Sequence, residues 1–200
     1  MILAWNFDKF EKNNLLYVTG ISGSGKSTYS ADLADSIDAY VLHLDFYYDN
    51  PYYGDYTCKE FNDYLKTELP EYFDILRDFE YYERVRFEPN NSDGKFYWKV
   101  MDSLLIKIKE FSDISDKPVI AEGIQLFDST VPEEDIYFQN ESVVVIKTPP
   151  LLCAKRAVNR DELGVRQLED KIQVAIRSNK ILSDFIDMLI GISGNPDIIG

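Results

Sequence analysis

The run Gly20-Ile21-Ser22-Gly23-Ser24-Gly25-Lys26-Ser27-Thr28 satisfies the spacing G-x-x-x-x-G-K-[ST] at every required position. Glycine-rich turns of this kind let successive backbone N–H groups converge on phosphate oxygens. A helix that starts inside the turn adds the positive end of its dipole to the same point. Lys26 is then placed to reach the β- and γ-phosphates of a nucleotide, and the Ser27 hydroxyl to ligate Mg²⁺. A chance Gly/Ser-rich turn would lack the flanking elements. Here the apolar, β-prone Leu15–Thr19 enters the loop directly, and Ser27 to Ile37 contains neither Gly nor Pro and can continue as a helix. The whole of Gly20 and Ser22–Thr28 is therefore a candidate nucleotide cradle, with ATP and Mg²⁺ as the implied ligands.

Ligands of parallel sheets bind at the carboxyl ends of the strands, and further groups suited to the chemistry fall at such ends. Asp45 follows the apolar run Tyr40–Leu44. A carboxylate there can act as a general base toward an attacking hydroxyl, help hold Mg²⁺ through water, or simply open a loop, as Asp often does. Glu122 ends the run Val119-Ile120-Ala121 and precedes Gly123; it is the candidate second carboxylate, organising the metal's water shell or the nucleophile. Arg156 and Arg160 are spaced i, i+4, so on a helix they share a face, and Gly164 with Arg166 follows. Guanidinium groups suit the dispersed charge of a transferring phosphoryl group, with Gly164 as a lid hinge. The competing reading pairs these arginines with Asp161 and Glu162 on an exposed surface. His43, the one histidine, reads as a packed residue or a crevice cap rather than a catalyst. The tyrosines at 47, 48, 52, 53 and 56 suit either stacking on a planar acceptor or ordinary packing.

The elements that must position these groups alternate. Strands are expected at Leu15–Thr19, Tyr40–Leu44, Pro118–Ala121 and Ser142–Lys147, with a weak fifth at Asp197-Ile198-Ile199. Helices are expected at Lys26–Ile37, Lys59–Phe79 interrupted by Pro70, Trp98–Phe111, Leu152–Arg160 and Gln167–Ile190. The pattern predicts one α/β domain over residues 1–200, a three-layer P-loop NTPase fold with a parallel sheet between helices. An insertion over about residues 50–97 is expected to recognise the acceptor, and a lid spans about 156–168. Within the insertion, Arg84-Val85-Arg86-Phe87 and Lys95-Phe96-Tyr97-Trp98 flank the turn cluster Glu88–Gly94 and suggest a hairpin.

The chain has 200 residues, 45% hydrophobic and 28% charged, with 35 Asp and Glu against 21 Lys and Arg and a net charge of −14. Such composition suits a folded core, and such charge disfavours general nucleic-acid binding. Cys58 and Cys153 form no CxxC pair, so neither a disulfide framework nor a zinc site is suggested, and a reducing cytoplasm is the expected compartment. No apolar run reaches the ~18 residues that would span a bilayer, and Met1–Asn6 lacks the pattern of a signal peptide.

Together these segments resemble the uridine kinase group of P-loop kinases, which is itself similar to phosphoribulokinase and pantothenate kinase. Gly20–Thr28 resembles that family's G-x-S-G-S-G-K-S/T. Leu44-Asp45-Phe46-Tyr47-Tyr48 resembles its Asp-x-Phe-Tyr, Ile120-Ala121-Glu122-Gly123-Ile124 its apolar-Glu-Gly segment, and Arg156-x-x-x-Arg160-Asp161 with Arg166 its arginine-rich lid. The resemblance implies ATP as donor, a requirement for Mg²⁺, and the 5′-hydroxyl of uridine or cytidine as acceptor. It places Asp45 on the catalytic Asp and Tyr48 on the substrate-side Tyr, with Arg84 and Arg86 as acceptor-contacting candidates. The segment from Tyr52 to Tyr97 departs from the family. A nucleoside monophosphate kinase or another small-metabolite kinase is the neighbouring reading; a partner-regulated ATPase or nucleotide-binding module is the reading of another class. A GTPase is disfavoured, because Asn179-Lys180-Ile181-Leu182 lacks the Asp of N-K-x-D.

Overall fold

A computed structural model describes residues 14–48, 58–77, 92–126, 142–160, 165–192 and 196–200. The described chain runs β1 (Leu15–Thr19), α1 (Lys26–Ile37), β2 (Tyr40–His43), α2 (Leu44–Tyr48), α3 (Lys59–Glu68), α4 (Pro70–Arg77), α5 (Ser92–Ile114) and β3 (Val119–Glu122). A 3₁₀ turn (Ile124–Leu126), β4 (Ser142–Ile146), α6 (Pro150–Arg160), α7 (Val165–Ile192) and β5 (Asp197–Ile199) complete it. The strands form one parallel sheet in the order β2-β3-β1-β4-β5.

The central strands read as unbroken apolar runs because both faces of the sheet are covered. Leu15, Tyr17, Val119, Ala121, Val143 and Val145 point into a core shared with residues of α3 to α7. Leu16, Val18, Ile120, Val144 and Ile146 point the other way, toward Ala34 of α1 and its partly buried neighbours Tyr29, Leu33 and Ile37. Each fully buried Leu or Val contributes roughly 1.5–3 kcal/mol, so the strand that feeds the loop is among the most firmly anchored parts of the chain. Asn14, at φ 49°, turns the backbone into β1. Its side-chain amide donates to Ser112 O at 2.8 Å, tying that turn to the end of α5.

Several expected boundaries move. β2 stops at His43, and Leu44 already opens a helix, so Asp45 lies in the first turn of α2 rather than in a loop. Pro70 divides the expected Lys59–Phe79 helix into α3 and α4, as its missing N–H and fixed φ require. The expected hairpin is corrected: Lys95–Trp98 belongs to helix α5, which begins at Ser92. The reason is periodicity. Buried Val100, Leu104, Leu105, Ile108 and Phe111 recur at helical spacing, and the helix they anchor extends back through a stretch whose local alternation resembles a strand. The other proposed arm, Arg84–Phe87, lies outside the described residues, as do most of the tyrosine-rich segment and Gly164.

Candidate active site

β1 delivers Gly20 to the carboxyl edge of the sheet, between the ends of β3 and β4. The loop closes on itself through Ser24 N–H, which donates to Ile21 O at 3.0 Å. At Gly23, φ is 82°, and a Cβ would lie 2.5 Å from the carbonyl oxygen of Cys153, so no larger residue fits. Gly25, at φ 99°, caps α1. The first bond across that cap runs from Tyr29 N–H to Gly25 O at 3.0 Å. The N–H groups of Lys26, Ser27 and Thr28 therefore find no partner within the helix and remain available to an anion. Lys26 is 6% exposed. A cation so shielded is costly unless an anion accompanies it, so the loop suits a negative ligand. Ser22, Ser27 and Thr28 are exposed at the mouth, and Ser24 is buried beneath.

The loop is braced from the segment that follows β4. Thr148 Oγ1 donates to Ser24 O at 2.9 Å, and Arg156 Nη1 donates to Gly23 O at 3.2 Å and Ser24 O at 3.4 Å. In a trans peptide the carbonyl and the next N–H point in opposite directions. Holding Ser24 O toward Thr148 and Arg156 thus turns Gly25 N–H the other way. Arg156, expected to gather transferring charge, sits instead against the loop's own carbonyls. Burial pushes the adjacent Cys153 thiol above its ordinary range, while the positive charges of Arg156 and Lys26 pull it down. Arg160 lies exposed one turn further along α6. Arg166 falls in the first turn of α7 and Tyr48 at the end of α2, but their side chains, like all of Arg84 and Arg86, lie outside the described residues. Nothing local in the sequence marks Thr148; its role depends on where β4 ends beside β1.

Both carboxylates reach this edge. Across the sheet, Val18 and His43 stand in register with Glu122, so the ends of β1, β2 and β3 are level. Glu122 is 2% exposed. Its Oε1 accepts from Ser27 Oγ at 3.1 Å and from His43 Nδ1 at 2.6 Å, a carboxylate being an acceptor only. Glu122 Oε2 and Asp45 Oδ1 are buried without a hydrogen-bond partner among the described residues. Gly123 is fixed to β1, its N–H donating to Val18 O at 3.1 Å and its carbonyl accepting from Thr19 Oγ1 at 2.8 Å. His43, read from the sequence as a packed residue or cap, is thereby brought into the site.

These donors fit a small, hard divalent cation. Ser27 gives its proton to Glu122 and keeps its lone pairs free, and Glu122 retains a buried oxygen without a partner among the described residues. Among the described residues, no group of three His, Cys, Asp or Glu side chains stands together as a metal cage. A cation here would draw on phosphate oxygens and water as well, the usual habit of Mg²⁺.

A parallel sheet in the order 2-3-1-4-5, with flanking helices and an anion cradle at the end of its central strand, defines a P-loop NTPase-like α/β fold. Among individual solved structures, the chain is similar to a dephospho-CoA kinase from Campylobacter jejuni, at 19% identity and TM-score 0.45 over 93% of this chain and 87% of that one. It is also similar to the Thermus thermophilus protein TT1252, at 16% identity and TM-score 0.47 over 84% of this chain and 83% of that one. No protein-family model matches the sequence, and a search of curated proteins finds no match.

Proposed function

We propose that this chain is an ATP-dependent phosphotransferase that moves the γ-phosphate of ATP to a hydroxyl of a small molecule. The observation that carries this reading is the convergence of the braced loop, Lys26 and the Ser27–Glu122 hydrogen bond at one sheet edge, with Asp45 in the turn that follows β2 there. The loop amides and Lys26 would hold the β- and γ-phosphates and stabilise charge as it develops. Asp45 accepts the proton of the acceptor hydroxyl while the new O–P bond forms and the bond from phosphorus to the β-phosphate oxygen breaks, releasing ADP. Its Oδ1, buried and without a hydrogen-bond partner among the described residues, is available for that proton. Ser27 and Glu122 would hold Mg²⁺, directly or through water; when bound, the ion screens the phosphate charges. Arg160 and Arg166 are assigned to the transferring group, and Arg156 to support of the loop. The acceptor is an uncharged alcohol, with a nucleoside such as uridine or cytidine as first candidate, contacted by Tyr48, Arg84 and Arg86. The family resemblance and the net-acidic composition of the insertion over about residues 50–97 support that choice.

The test has two arms. Magnesium ATP at a hundred times its Kd should stabilise the fold by about 2.7 kcal/mol, which raises the Tm of a chain this size by roughly 5–10 °C. A screen of nucleosides, nucleoside monophosphates, vitamins and sugars should then reveal acceptor-dependent ADP formation. Phosphate release independent of every acceptor would point to a partner-regulated ATPase, and no Tm response to ATP would overturn the nucleotide site.

A further inference from the structure

We propose that His43 is the positioning residue for Glu122, and that through this carboxylate it sets how strongly the site depends on a divalent cation. The inference deepens the phosphotransferase reading and rests on it. A glutamate carboxylate turns easily about its last torsion, which has broad and shallow wells. At Glu122 two donors from different elements converge on the same oxygen: Ser27 Oγ from α1, at 3.1 Å, and His43 Nδ1 from the neighbouring strand, at 2.6 Å. Both fall on Oε1, which leaves Oε2 as the buried oxygen with no donor among the described residues.

The two donors differ in kind. Ser27 rides on the phosphate loop and is itself a candidate cation ligand, so its hydroxyl serves two partners. His43 is held by sheet register, directly opposite Glu122, and its ring packs edge-on against Phe46 with centroids 5.8 Å apart. It can orient the carboxylate whatever occupies the loop. An ionised Glu122 makes Nδ1 the protonated nitrogen, so the bond also fixes which nitrogen of the ring carries the proton. Partners of this kind, one bond removed from a metal, typically change metal affinity ten- to a hundredfold when lost.

The experiment measures equilibrium binding of a fluorescent ATP analogue to the full chain across a magnesium titration, with a parallel titration in EDTA. His43→Leu removes the donor and should raise the magnesium concentration at half-maximal binding by about ten- to a hundredfold, leaving the EDTA affinity near that of the wild type. An asparagine amide places its N–H close to the position of Nδ1, whereas a glutamine amide reaches toward that of Nε2. His43→Asn should therefore restore most of the magnesium response, and His43→Gln should not. If Leu unfolds the chain, the Asn and Gln variants carry the same test between them. A wild-type magnesium midpoint in the Leu and Gln variants overturns the role of His43, as does an Asn variant no better than Gln. A wild-type chain that binds the analogue without any magnesium dependence overturns the phosphotransferase reading and, with it, this role.

Discussion

At the scale of single residues, the proposed function divides labour between groups that would hold charge and a group that would move a proton. Lys26 is buried at a helix start whose first amides have no partner within the helix; on the proposed function, Lys26→Ala should remove a transition-state contact and lower kcat together with kcat/KM. Asp45 carries a different burden. Asp45→Asn keeps the shape and the turn but cannot take up a proton, so kcat should fall by about 10²–10⁴ while ATP affinity holds. Stopped-flow nucleotide binding beside steady-state rates separates the two variants. If Asp45→Asn loses ATP affinity and keeps its kcat, the residue serves the metal's water shell instead. Legibility at this scale is uneven. The loop geometry at Lys26, Ser27 and the cradle glycines follows from spacing alone, because it is local to one turn. His43 does not, since its partner Glu122 is 79 positions away and is found only through the pairing of β2 with β3. Arg156 was legible as a guanidinium suited to phosphoryl charge, yet its acceptors, Gly23 O and Ser24 O, depend on how α6 docks.

At the scale of elements, the phosphate loop is held from behind by the start of α6 and the turn before it. Thr148→Val is nearly isosteric but leaves Ser24 O without its hydroxyl donor. The change should cost about 0.5–1.5 kcal/mol and weaken binding of a fluorescent ATP analogue by roughly two- to tenfold. Gly23→Ala should be worse, because the residue must take a positive φ and its methyl group meets the Cys153 carbonyl. β1 and α1 match their expected limits to the residue because the loop between them announces both ends. The beginning of α5 was hidden by a stretch that alternates like a strand, so the helix expected from Trp98 in fact starts at Ser92. β5 is three largely exposed residues at the sheet's edge, too short for periodicity to register. Its place rests on pairing with β4 and on Lys147 N–H donating to Ile199 O at 2.6 Å.

At the scale of the molecule, 35 acidic residues confront 21 basic ones, and the compact state gathers that repulsion into a small volume. Screening should relieve it. The Tm of the free chain is expected to rise between about 10 mM and 0.5 M sodium chloride, across several Debye lengths, and a flat or falling profile in differential scanning calorimetry would contradict this account. The described ion pairs do not offset the effect. Lys66–Asp63 lies on the surface, and in Lys117–Asp38 the aspartate side chain is 82% exposed, where such pairs contribute little. Among the described residues, no helix is long and apolar enough to cross a membrane.

β1 is paired on both sides and buried along its whole length, and the cradle grows directly from its end. Amides in such a ribbon exchange with deuterated solvent only when the entire domain opens, whereas those of an exposed border such as β5 exchange through local fraying. The mount of the cradle is therefore insulated from fluctuations at the periphery. Warming should let the margins breathe well before the phosphate seat loosens, and that seat and the fold should vanish in one cooperative event.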